Sequence, residues 1–128
     1  MDAPRTQGDW RYSPVQGGSA ALYAELGRGT RLTLRCDRSQ RQVVLEQPGQ
    51  VSGQVPVIVR TETSDRTLAG QAVSGQGNAV RATLSATDPL LDAMALSKGR
   101  FAIEAAGLPP LYLPSWPEVT RVIEDCRS

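Results

Sequence analysis

The stretch TRLTLRC, residues 30–36, decides how the chain is read. Leu32, Leu34 and Cys36 fall on one side of an extended segment, and Arg31, Thr33 and Arg35 on the other. Apolar and polar residues alternating with a period of two mark a half-buried strand. The same alternation puts Cys36 on the core face.

The neighbouring segments repeat the pattern. WRYS (10–13) reads as a first short strand with Trp10 and Tyr12 on one face. ALYAEL (21–26) alternates, with Leu22, Ala24 and Leu26 on one side against Tyr23 and Glu25. GRG (27–29) supplies the turn, because glycine tolerates positive φ. RQVVLEQ (41–47), VPVIVRTET (55–63), TLAGQAV (67–73) and AVRATLSA (79–86) follow, separated by RSQ, PGQVSGQ, TSDR and SGQGN. RFAIEAAG (100–107) points Phe101, Ile103 and Ala105 inward. LPPLYLP (108–114) cannot be helical and reads as an extended edge segment. Short strands at this spacing predict a mainly β chain, an antiparallel β-sandwich or barrel of about seven to nine strands. We expect one domain over residues 1–128, with residues 1–9 disordered.

Two segments break the period. In DPLLDAMALSKG (88–99), Asp88 is placed to cap, Pro89 opens a helix and Gly99 follows its end. Leu91, Met94 and Ala95 form one stripe, so a short helix over residues 89–97 is expected to cover an open end or edge of the sheet. In LPSWPEVTRVIEDCRS (113–128), Ser115 and Glu118 stand at capping-box spacing with Pro117 in the first turn. Trp116, Val119, Ile123 and Cys126 share a face of this second helix, residues 116–126, while Arg121, Glu124 and Asp125 lie off it. A helix this short does not persist alone in water, so its apolar face must dock.

Two cysteines therefore face inward from distant parts of the chain. The structural reading pairs Cys36 with Cys126 in a disulfide that ties a core strand to the terminal helix. The alternative is a reactive thiol at Cys36, with Arg35 and Arg38 lowering its pKa and Asp37 opposing them. A disulfide implies an oxidising compartment, periplasmic or secreted. The start MDAPRTQGDW has no apolar signal segment and reads as a mature exported protein whose signal peptide has been removed.

Composition narrows the chemistry. The 128 residues are 40% hydrophobic and 21% charged, with a net charge of +1. No electrostatic footprint for nucleic acid follows from that balance, and no apolar run reaches the length of a membrane helix. The chain has no histidine, which excludes Ser–His–Asp and Cys–His catalysis and the usual His-containing zinc sites. No cofactor or metal site is expected.

Asp88 and Asp92, four apart on the first helix, are the best candidates for a carboxylate pair doing general acid and base work. Capping and solvation explain them more simply, as they do Glu118, Glu124 and Asp125. No spaced oxygen-ligand loop for calcium is present. The glycine-rich pieces match neither a Walker loop nor a dinucleotide fingerprint. Ser97 and Lys98 are adjacent on a helix and do not face each other. Trp10, Tyr12, Tyr112 and Trp116 could form an aromatic surface. Its best candidate is PPLYLPSW (109–116), where a rim of Leu111, Tyr112 and Trp116 could bind a partner.

Several of these pieces in order resemble the invasion-associated locus B family of small bacterial periplasmic proteins. They are GDWRYS (8–13), LTLRC (32–36), VIVRTET (57–63), LSKGRFAIEAAG (96–107) and a late cysteine. The resemblance implies an all-β sandwich, export and no catalytic constellation. The DPLLDAMALSKG helix and the long C-terminal ending depart from that pattern. The expectation is a non-enzymatic exported β protein binding a protein or cell-envelope component. The alternatives are a small carboxylate-dependent hydrolase and an inhibitor of an envelope hydrolase.

Overall fold

A computed structural model describes residues 4–75 and 77–128. It contains nine strands: β1 (Asp9–Val15), β2 (Gly18–Glu25), β3 (Gly29–Asp37), β4 (Gln42–Pro48), β5 (Gln54–Arg60), β6 (Asp65–Val73), β7 (Ala79–Ser85), β8 (Arg100–Ala105) and β9 (Leu111–Pro114). Helix α1 (Pro89–Leu96) lies between β7 and β8, and α2 (Pro117–Arg127) ends the chain. All strand pairs are antiparallel, in one curled sheet of order β1-β2-β3-β4-β7-β6-β5-β8-β9. The mainly β architecture and both helices thus follow the sequence pattern. Between sandwich and barrel, a single continuous sheet curled as a half-barrel is what forms.

Register explains the core. Cys36 stands opposite Ser19 and Val43, Leu34 opposite Ala21 and Leu45, and Leu32 opposite Tyr23. The row continues through Leu84 and Ala82 of β7. Across β5, β8 and β9 the same face carries Val57, Val59, Ile103, Phe101, Leu111 and Leu113. These inward residues form one buried cluster, which α1 and α2 complete.

The edges of the sheet do not hang free. β1 and β9 are its ends, and the Trp10 indole N–H donates to Pro114 O at 2.7 Å. Thr6 lies between them. Its N–H donates to Tyr112 O, its Oγ1 accepts from the Tyr112 N–H, and its carbonyl accepts from the Tyr23 hydroxyl. Among the residues expected to be disordered, Thr6 is therefore tied to the sheet, while residues 1–3 lie outside the described residues, as does Gln76 of the SGQGN turn. An edge backbone capped in this way offers fewer unpaired groups to another chain.

Three local expectations need correction. In β2 the inward residues are Ala21 and Tyr23, while Leu22 and Ala24 are half-buried and Leu26 is 99% exposed at the turn. Both phases of ALYAEL are apolar, and the larger ring wins: Tyr23 meets Trp10 edge-on at 5.1 Å, and its hydroxyl finds an acceptor. The capping box does not form. Trp116 occupies the N-cap position without a side-chain bond, and the Ser115 hydroxyl donates instead to Met94 O in the last turn of α1. Ser115 lies one residue too early, and satisfying an orphan carbonyl of α1 there joins the two helices. Finally, the apolar face of α1 takes in Leu90 as well as Leu91 and Met94, with Ala95 half-buried against the core.

Candidate binding surface

The C-terminal helix is held by several independent attachments. Cys36 and Cys126 form the disulfide, with Cα atoms 5.4 Å apart, and both residues are buried. Gly18, beside Cys36 across the β2–β3 ladder, has no room for a side chain: a Cβ there would stand 2.1 Å from Cys36 O. Val119, Val122 and Ile123 bury the rest of the inward face of α2. Two guanidiniums reach its last carbonyls, Arg38 Nε donating to Asp125 O and Arg41 Nη2 to Arg127 O. Cations belong at that end of a helix dipole. Arg127 ties α2 to α1 through both carboxylate oxygens of Asp92, and its Nε donates to Ala86 O.

The two candidate catalytic carboxylates are thus both engaged in structure. Asp88 caps α1 through the Leu90 N–H and pairs with Arg66 at 2.5 Å. The Arg66 hydrogen bond holds its carboxyl below the usual range, against the opposing effect of burial. Asp92 is lowered in the same way by the hydrogen bond from Arg127. Each stands beside its own arginine.

Asp125 is the carboxylate with the richest surroundings. It accepts from the Tyr12 hydroxyl at 2.5 Å and the Ser19 hydroxyl at 2.8 Å. The Tyr12 bond is the main cause of its lowered pKa, with Ser19, Arg38 and Arg121 acting the same way and burial opposing. This joins α2 to β1 and β2 beside the disulfide.

Next to that junction lies a depression of about 580 Å³, open to solvent and lined by Tyr12, Trp116, Pro117, Glu118 and Arg121. It sits where the β1 edge of the curled sheet meets the start of α2. The Arg121 guanidinium lies 4.0 Å from the centre of the Tyr12 ring, and that of Arg5 5.4 Å from the Trp116 ring. Such stacking holds a ring in place while its exposed edge stays available.

Of the rim anticipated at Leu111, Tyr112 and Trp116, only Trp116 lines this depression. Leu111 is 1% exposed and belongs to the core. Tyr112 alternates with buried Leu111 and Leu113, so it faces the other side of β9. The other aromatic residue lining it is Tyr12 of β1, which the sequence places on a strand face with Trp10 but does not connect to Trp116. Arg5 and Arg121 were not anticipated, because nothing local marks an arginine that will stack on a distant ring.

Among the described residues no group of three or more His, Cys, Asp or Glu side chains is arranged to hold a metal. Among the described residues, no helix is long and apolar enough to cross a membrane. The fold and surface together define a curled antiparallel sheet whose terminal helix is fastened by a disulfide and borders an aromatic–arginine depression. Compared with family models, curated proteins and solved structures, the chain gives no significant match.

Proposed function

We propose that this is a non-enzymatic exported protein that binds a protein or cell-envelope component through the depression between Tyr12 and Trp116. The observation that carries the reading is the pair of arginine-braced, partly exposed rings at the junction of β1 and α2. Partly exposed aromatic residues with arginine beside them are the composition of binding hot spots. Two further observations support it. Asp88 and Asp92 are taken up in caps and ion pairs, which weakens the hydrolase alternative. The disulfide supports an oxidising compartment, and the periplasm is where the family resemblance in the sequence also points.

The test is site-specific photo-crosslinking in the native host. A photoreactive phenylalanine analogue at position 116 is expected to trap a discrete product, whereas the same group at exposed Leu96 is not. Identical product patterns from the two positions, or none from position 116, would sink the proposal.

A further inference from the structure

One polar side chain interrupts the apolar interior of the curled sheet. The inward residues of β4 run Val43, Leu45 and Gln47, and all three are buried, Gln47 with 4% of its surface exposed. Its amide Nε2 donates to Pro109 O at 3.0 Å, in the connection between β8 and β9. That bond fixes the orientation of the amide, because a carbonyl only accepts and the amide nitrogen is the donor. The amide oxygen is buried as well, and it has no hydrogen-bond partner among the described residues. An amide oxygen withdrawn from water without a partner costs more than an ordinary hydrogen bond returns.

Gln47 also lines a cavity of about 10 Å³. The rest of the lining is aliphatic and comes from β3, β4, β5, β7 and β8, with Leu32, Val57, Val80 and Ile103 among its walls. Size selects the guest. That volume is about the least that admits one water, and it excludes organic molecules and hydrated ions. A purely aliphatic hole stays dry, so the amide oxygen is what makes this one a polar site. The seam beside it supplies further polar groups. The pairing of β3 with β4 stops at Thr33 and Glu46. Leu32 and Gln47, the next residue on each strand, both line the cavity and stand past that last pair. On their other sides they remain paired, Leu32 with Tyr23 and Gln47 with Val80. Where a ladder stops short, backbone groups turn to water or side chains for their bonds, and a buried water typically makes about three.

We propose that this cavity is a binding site for a single water molecule, which donates to Gln47 Oε1 and bridges it to the backbone at the open end of the β3–β4 seam. Gln47 then joins two elements: its nitrogen holds the β8–β9 connection and its oxygen holds the water. None of the cavity's residues borders the Tyr12–Trp116 depression, so the site stands or falls apart from the proposed function. The test is NMR on the full-length oxidised protein with its methyl groups assigned. The methyls of Leu32, Val80 and Ile103 should show NOE peaks at the water frequency, with the sign of a water held longer than the molecule takes to tumble. No side chain of the lining carries a hydroxyl, so exchange through a neighbouring hydroxyl of the lining does not produce such peaks. Gln47→Met keeps the length of the side chain and removes the oxygen. The peaks should be lost in that variant, while the buried Trp10 indole signal, set by its bond to Pro114 O, stays in place and shows the fold intact. Peaks that persist in the Met variant overturn Gln47 as the residue that holds the water. Absence of the peaks from the parent protein overturns the site altogether, and that result is readable whether or not the variant folds.

Discussion

At the scale of single residues, Asp125 shows how one carboxylate can organise a junction. One carboxylate oxygen, Oδ2, accepts from both Tyr12 on β1 and Ser19 on β2, while its backbone carbonyl accepts from Arg38. Ser19 is almost fully buried, so an unpaired hydroxyl there has no water to turn to. Removing an acceptor from buried donors costs more than the hydrogen bond itself contributes. Asp125→Ala is therefore expected to lower stability by about 1–3 kcal/mol, read as a lower urea midpoint at unchanged slope. The exposed neighbour Glu124, replaced by Ala, should stay within about 0.5 kcal/mol of the parent. Equal losses at the two positions would show that the hydroxyl network contributes nothing. None of this was visible in the sequence, where Asp125 reads only as an acid off the apolar face of a helix. The two hydroxyls it accepts from lie more than a hundred residues away in the chain, and no local pattern encodes a contact of that range.

At the scale of elements, α2 has to be explained by its attachments, because eleven residues of helix are marginal alone in water. Four residues bury its inward face: Val119, Val122, Ile123 and Cys126. The period of 3.6 that announces this face is local, and so is the period of two that announces each strand; both are readable without the fold. What is not readable is the choice between two apolar phases, as in β2, or between a cap and a cross-helix bond, as at Ser115. Those depend on which neighbour is present. The disulfide lies between these cases. Inward Cys36 and inward Cys126 made pairing the simplest outcome, although only the docking of α2 against β2 and β3 brings them within bonding distance. The bridge closes a sequence separation of 90, for which the chain-entropy argument gives about 4–5 kcal/mol. A Cys36→Ala, Cys126→Ala double variant should lose stability of that order while keeping the parent circular dichroism at 25 °C. The buried apolar face and the Arg127–Asp92 pair still dock the helix. A loss below about 1 kcal/mol would mean that the chain is no freer without the bridge, contrary to the model.

For the whole molecule, the absence of histidine has a consequence for stability as well as for catalysis. With both cysteines in the disulfide, no side chain of the described structure has an ordinary pKa between about 5 and 8. The groups that do shift lie at the extremes. Asp37, Asp88, Asp92 and Asp125 are all lowered, chiefly by hydrogen bonds from Ser39, Arg66, Arg127 and Tyr12 respectively. A carboxyl lowered in the folded state binds its proton more readily when unfolded. Its contribution is therefore complete above the unfolded value near pH 4 and is lost as pH falls through the lower folded value. Tyr23 shifts the other way, raised first by burial. Its neutral form is favoured in the fold, so that contribution is intact below about pH 10 and disappears as pH rises through the raised folded value. These signs predict a plateau from roughly pH 5 to pH 9, with a fall on the acid side from about pH 4 downward. Urea midpoints measured at closely spaced pH values from 2.5 to 10 test this. Asp88→Asn should blunt the acid limb, because Asn caps nearly as well as Asp but does not titrate. A midpoint that drifts steadily between pH 5.5 and 6.5 would require a titrating side chain that this sequence does not contain. The stability of the sheet and its fastened helix would then depend on something other than the contacts described.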